Sequence, residues 1–334
     1  MASPVPVRLG GRNDGAAVRA VRCPRCRSPR RPAAAPRWPW RRRCRASAGP
    51  GERRRYVGPI KVGIDVSQHQ LEWEEIRTRV LWAEEAGFES AWLFDHFTAL
   101  YGDPKGPCLE AWTLLAALGA VTTRIRLGAL VTGVTYRHPS LLAAEVVTVD
   151  QISAGRLNVG LGAAWHEGEH RRLGFDFPGP AERIERLDET VQIVKALLTS
   201  DGVDFDGRHY TLRNAFYHPR PVQQPRPPIW IGAGGEKVML PLAARHADVW
   251  HGFGSVSELR RKSAVVDRAA EAAGRDPAEI GRSTGLSISE PWDEVRREAA
   301  ALADAGFTSL IVSWPGEGMS RVEQFVERVL PELA

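Results

Sequence analysis

Hydrophobic residues in this chain come in short bursts, separated by longer stretches in which they recur every three or four positions. KVGIDV (61–66) is a burst of the first kind, dense in β-branched residues, and predicts a strand. WEEIRTRVLWAEEAG (73–87) is of the second kind: Ile76, Val80 and Ala83 share one helical face and Gly87 suits the helix end. The alternation then repeats. SAWLFDH (90–96), RIRLGALVTG (124–133), RLNVGLGAA (156–164), PPIWIGAGG (227–235), ADVWHGF (247–253), STGLSIS (283–289) and SLIVSW (309–314) read as seven more strands. Helical stretches lie between them, among them CLEAWTLLAALGAVT (108–122) and HPSLLAAEVVTVDQIS (138–153), where Pro139 falls at a tolerated first-turn position. After the fourth strand comes an insertion: a Gly/Pro-rich loop, the amphipathic helix AERIERLDETVQIVKALLTS (181–200) and a small hairpin in DFDGRHYTL (204–212). Eight strands alternating with helices over roughly 270 residues predict an α/β fold of the (β/α)8 TIM-barrel type, with an insertion after strand four. A doubly wound sheet would need fewer strands and usually a glycine-rich turn after the first, which KVGIDVSQHQ lacks.

Composition bears on the ends of the chain more than on its middle. With 334 residues, 43% hydrophobic and 25% charged, the chain can bury a large core, and no apolar run approaches the roughly 20 residues of a membrane span. The net charge of +5 suggests an acidic partner until it is divided by region. Residues 1–56 hold 16 arginines against Asp14 and Glu52, whereas the remainder carries 29 basic and 38 acidic side chains. The body is therefore acidic, and nucleic acid is not the expected partner. Cys23, Cys26 and Cys44 lie in the basic arm and only Cys108 in the body, so no disulfide framework is expected in the core, consistent with a cytoplasmic protein. The arm has a C-x-x-C but no histidine before His69 to complete a zinc site. The expected organisation is a disordered Arg/Pro-rich extension at 1–56, without a function of its own, ahead of a barrel domain at 57–334.

In such a barrel the chemistry sits where the strands stop. Strand two stops on Asp95 and His96, strand three on Thr132, Gly133, Val134 and Thr135, and strand four on Ala163, Ala164, Trp165 and His166. Strand five runs into the glycine turn GAGGEKV (232–238), which could cradle a phosphate or be an ordinary turn. Small residues, aromatics and one Asp-His pair suit a flat organic ligand better than a metal. His96 is the strongest single candidate, since an imidazole at a barrel mouth can take or give a proton near neutral pH. Position alone does not separate it from a histidine packed between loops. HEGEH (166–170) has the letters of a zinc motif but lacks the apolar helix and third ligand that motif needs.

FDHF (94–97), RLGALVTGVTYRHPSLLA (126–143), GRLNVGLGAAWHEGEHRRLGFDFP (155–178) and PPIWIGAGGEKV (227–238), taken in order, resemble the luciferase-like monooxygenase superfamily, and within it the oxidoreductases that use coenzyme F420. The resemblance spans roughly residues 60–334 and implies the same barrel. It implies that Asp95 contacts the deazaflavin ring and that His96 is the proton-transferring residue beside it. Gly133-Val134 falls where the family has a non-prolyl cis peptide beneath the ring, with Thr132 adjoining. Ala163, Ala164 and Trp165 fall on the cofactor-contacting end of strand four, and Gly234 and Gly235 on the phosphate-holding turn. One departure stands out: the sugar-phosphate dehydrogenases of this branch have an acidic residue where Trp165 stands, and their phosphate-binding basic residues have no evident counterparts here. Trp165, Trp250 and Trp314 suggest instead an apolar pocket, or simple packing.

The resemblance thus implies hydride transfer between the deazaflavin and a small organic substrate; the reductive direction and a homodimer are the expectations. An FMN-dependent monooxygenase using molecular oxygen and a non-catalytic flavin-binding barrel are the alternatives.

Overall fold

A computed structural model describes residues 60–333. The basic arm expected at 1–56 lies outside the described residues. Eight parallel strands close into a barrel in the order β1-β10-β9-β8-β7-β4-β3-β2. The chain runs β1 (Lys61–Asp65), α1 (Trp73–Glu85), β2 (Ser90–Leu93), α2 (Ala111–Val121), β3 (Arg126–Gly133), α3 (Pro139–Ile152) and β4 (Leu157–Gly162). The insertion supplies α4 (Glu167–Leu173), α5 (Pro180–Thr199) and the antiparallel pair β5 (Val203–Asp206) and β6 (Thr211–Ala215). The barrel resumes with β7 (Ile229–Gly232), α6 (Met239–His246), β8 (Val249–Gly252), α7 (Val256–Ala272), β9 (Gly281–Leu286), α8 (Trp292–Asp304) and β10 (Ser309–Ser313), and α9 (Met319–Arg328) and α10 (Leu330–Leu333) follow. Among the described residues, no helix is long and apolar enough to cross a membrane.

Strands read as continuous apolar runs because both faces are covered: all of β2 and all of β4 are buried. Outward-facing Ala91 and Leu93 join the large core beneath the helices. Inward-facing Trp92 meets Trp230 and Ile311 inside the barrel, the two indole rings 4.5 Å apart. Two tryptophans fill so much of the interior that the neighbouring strands must be bare there. A Cβ on Gly128 would come within 2.6 Å of the Trp92 ring, and one on Gly63 within 3.0 Å of its Nε1. This aromatic plug is packed by Leu130, which lies at the bottom of the open end of the barrel.

Candidate active site

β2 ends at Leu93, and the next residues are held by a glutamine from the loop after β1. Phe94 N–H donates to Gln68 Oε1 at 2.9 Å, and Gln68 Nε2 donates back to the Phe94 carbonyl. This two-way bond fixes the chain direction into Asp95 and His96.

Asp95 is 3% exposed. Its Oδ2 accepts from the Gly133 N–H at 3.0 Å and from Arg137 Nη1 at 2.6 Å, tying the end of β2 to the end of β3. Its Oδ1 is buried with no partner. Arg137 also reaches Glu110 at 2.5 Å and Glu145 at 3.2 Å, so one guanidinium is shared by three carboxylates. Burial works against that charge, but Asp95, Glu145 and Glu110 together raise the Arg137 pKa. Burial likewise raises Asp95, opposed by Arg137 and the Gly133 N–H. Glu145 is pushed up to about 7 by burial, with Arg137 opposing.

His96 is oriented by a different carboxylate. Its Nδ1 lies 2.9 Å from Glu169 Oε2, on a side chain with no exposed surface. Glu169 Oε2 also accepts from the Tyr136 hydroxyl at 2.5 Å, while Oε1 accepts from Phe97 N–H at 3.0 Å, Thr98 N–H at 2.8 Å and Thr98 Oγ1 at 2.9 Å. Burial opposes the Glu169 charge, yet these donors hold its carboxyl well below the usual carboxylate range. Burial, then Glu169, pushes the Tyr136 hydroxyl up, so it remains a donor. An ionised Glu169 places the His96 proton on Nδ1 and leaves Nε2 for the cavity.

Glu169 reaches His96 because HEGEH folds as the first turns of α4. His166 caps that helix, its Nδ1 accepting from the Glu169 N–H at 2.9 Å, and Gly174 ends it at φ 76°. His170, on the same inner face, stacks on Tyr136 at 4.3 Å, and Phe97 and Phe175 complete the aromatic layer. Among the described residues, no cluster of His, Cys, Asp or Glu is arranged to hold a metal ion.

These elements surround a cavity of about 430 Å³, lined by Asp95, His96, Gly133, Ala163, Ala164 and Trp165 together with Leu130, Val131, Gly162, Arg183 and Gly232. The first six are residues expected at the site. Thr132 and Val134 are buried and do not line the cavity, and the Thr132 hydroxyl accepts from Trp112 Nε1. Gly234 and Gly235 lie in the loop between β7 and α6, outside the lining, where Gly232 and Met239 reach the cavity instead. Trp165 stands at the mouth, 65% exposed, with its ring 5.8 Å from His96. Trp250 and Trp314 belong to the packing: Trp250 is buried and bonded to the Ala233 carbonyl, and Trp314 lies under Arg79.

One expectation is corrected. The non-prolyl cis bond joins Leu130 to Val131, not Gly133 to Val134. β3 continues past this point and pairs Gly133 with Gly162, its register shifting between Ala129 and Thr132. The resemblance placed the irregularity at Gly133, whereas Gly133 serves close packing: a Cβ there would come 2.8 Å from the Tyr136 ring. Gly162 and Gly232 likewise leave room for the Val131 side chain. The sequence reading also passed over Glu169, Arg137 and Arg183. HEGEH was weighed only as a metal motif, although a helix cap three residues before a glutamate was its legible signal.

Residues 55–326 match the luciferase-like monooxygenase family, and the chain belongs to it. An F420-dependent glucose-6-phosphate dehydrogenase of Amycolatopsis mediterranei is 31% identical over 239 residues, 70% of each chain. An F420-dependent secondary alcohol dehydrogenase, solved with an F420-acetone adduct, superposes with TM-score 0.74 at 19% identity, over 83% of this chain and all of that one. The monooxygenase RslO1 of Streptomyces bottropensis superposes with TM-score 0.66 at 22% identity, over 82% of this chain and all of that one.

Proposed function

We propose that this protein is a coenzyme F420-dependent oxidoreductase that moves hydride between the deazaflavin and a small organic substrate, with His96 as the proton-transferring residue. The observation that carries this reading is the Glu169–His96 pair, which presents an unpartnered imidazole Nε2 to the cavity. The cavity fits the cofactor. Its volume lies in the range of organic-ligand pockets, Gly133, Gly162, Ala163 and Ala164 give it a wall without bulky side chains, and the Asp95 Oδ1 needs a donor that the protein does not supply. Arg183, the only cation lining this cavity among the described residues, can neutralise an acidic group leaving the mouth.

The deazaflavin, when bound, supplies the hydride chemistry. The protein's part is orientation and proton handling. Asp95, pinned by Arg137 and Gly133, forms the wall of the cavity at the ring edge. Leu130, Val131 and Phe94 exclude water from the reacting face. His96 Nε2 takes the proton of a substrate hydroxyl during oxidation and returns it to a carbonyl oxygen during reduction. Glu169 stabilises the imidazolium that exists between those steps.

Separate titrations of purified protein with F420 and FMN test the cofactor, and His96→Ala tests the proton route. F420 is expected to bind both wild type and variant, with turnover falling roughly 10²–10⁴-fold in the variant. Tight FMN binding with no F420 binding would replace this reading by the monooxygenase one, and unchanged turnover would remove His96 from the mechanism.

A further inference from the structure

A second cavity, of about 310 Å³, adjoins the first across Phe94, Leu130 and Phe253, which line both. It occupies the other half of the barrel mouth, where β1, β8, β9 and β10 end. Its polar wall consists of Asp65, His251, Thr284 and Ser313. Thr284 Oγ1 is committed to the Gly252 carbonyl at 3.0 Å, and His251 Nδ1 to Ser283 at 3.1 Å. Burial lowers the His251 pKa to about 4, so this imidazole is neutral in neutral solution. No lysine or arginine lines the cavity among the described residues. Asp65 is thus its only charged group. The Asp65 Oδ1 accepts from the Ser67 N–H at 3.0 Å, while Oδ2 has neither a hydrogen-bond nor an ion-pair partner among the described residues. Burial pushes the carboxyl up to about 7, with the Ser67 bond opposing.

A lone carboxylate with one free oxygen, in an otherwise uncharged cavity, has two effects on what can enter. It offers an acceptor to a hydroxyl, and it repels any anion, because no cation is present to compensate. We propose that this second cavity is the substrate compartment and that Asp65 is its specificity-determining residue, selecting uncharged hydroxyl-bearing molecules and rejecting phosphorylated or carboxylated ones. The assignment rests on the oxidoreductase reading for the word substrate, since the shared wall sets the compartment beside the proposed ring site. Its geometry and charge stand independently of which cofactor fills the first cavity.

The test uses matched pairs of probes that differ in charge: cyclohexanol with cyclohexanecarboxylate, and glucose with glucose 6-phosphate. Binding is measured calorimetrically at about pH 8.5, where a carboxyl of pKa about 7 is ionised, to both F420-loaded and cofactor-free protein. Wild type is expected to prefer the uncharged member of a pair by at least about tenfold. Asp65→Asn, which retains an acceptor for Ser67, is expected to narrow that preference about tenfold or more and to leave F420 affinity unchanged. Asp65→Ser serves as a second variant, and thermal melting checks that each is folded. An unchanged preference in folded variants, tighter binding of the anions by wild type, or no binding of any probe overturns the proposal. Loss of F420 binding in wild type, with the charge preference intact, overturns the oxidoreductase reading and leaves Asp65 assigned.

Discussion

Replacing Glu169 by glutamine removes one charge and turns one acceptor into a donor, and the structure says which. Three donors converge on Oε1, from Phe97, Thr98 N–H and Thr98 Oγ1, so the amide oxygen takes that side. The amide NH2 then occupies the place of Oε2, facing Tyr136 and His96 Nδ1. Tyr136 can turn its hydroxyl and accept. His96 can avoid an N–H to N–H clash only by moving its proton to Nε2, which makes Nδ1 the acceptor. The imidazole then presents a proton to the cavity where a lone pair is needed, and the adjacent negative charge that stabilises the imidazolium is gone. A misassigned general base costs roughly 10²–10⁴ in rate, or about 3–5 kcal/mol in the barrier. Single-turnover oxidation of an alcohol, followed through deazaflavin absorbance, reads the rate, and ¹⁵N NMR of the His96 ring reads the tautomer. Glu169→Gln is expected to keep F420 affinity, lose the rate and show a protonated Nε2. A folded variant with turnover within about threefold of wild type, or with the proton still on Nδ1, would refute the orienting role.

Two further outcomes concern stability. Trp92→Ala empties half of the aromatic plug, where Gly63 and Gly128 leave nothing to collapse into the space, and is expected to cost about 3–5 kcal/mol in denaturant unfolding; a loss below about 1 kcal/mol would mean the interior repacks. Glu84 accepts from the N–H groups of Thr123, Arg124 and Ile125, which bring its pKa down to about 2 although burial opposes them. A carboxyl depressed on folding stabilises the protein above its unfolded value near 4.5 and loses that contribution as pH falls towards about 2. Its partial exposure limits the contribution to about 1 kcal/mol. The gap in urea midpoint between wild type and Glu84→Gln is therefore expected to close between those pH values, and a gap independent of pH would assign the effect to packing.

Legibility in the sequence differed between the frame of the site and its wiring. Strand periodicity is a local property, so the barrel and its insertion were readable, and strand ends then located Asp95, His96, Gly133 and Ala163 through Trp165 by topology alone. Contacts between distant segments are not local. Nothing in FDHF indicates that Arg137, 42 positions on, holds Asp95, or that Glu169, 73 positions on, holds His96. The cis bond illustrates the same limit, since Leu130 and Val131 are unremarkable strand residues and the glycines that accommodate them lie on β4 and β7. Asp65 lies within the first predicted strand, but its isolation is a property of the ends of β8, β9 and β10 beside it.

Asp95 and His96 are adjacent in sequence yet answer to separate networks, and that separation has a mechanistic consequence. Asp95 belongs to a buried cluster in which the single guanidinium of Arg137 is shared by three carboxylates, so removing Arg137 leaves their charges uncompensated. Such a cluster holds Asp95 in a fixed position. His96 is tied to a carboxylate that is held ionised by four donors besides His96 itself. One residue can therefore hold a ring edge still while its neighbour cycles a proton, without the charge change at His96 propagating into the Asp95 cluster through a shared hydrogen bond. They are consecutive residues lining one cavity, so covalent geometry instead of a flexible loop sets the distance between them.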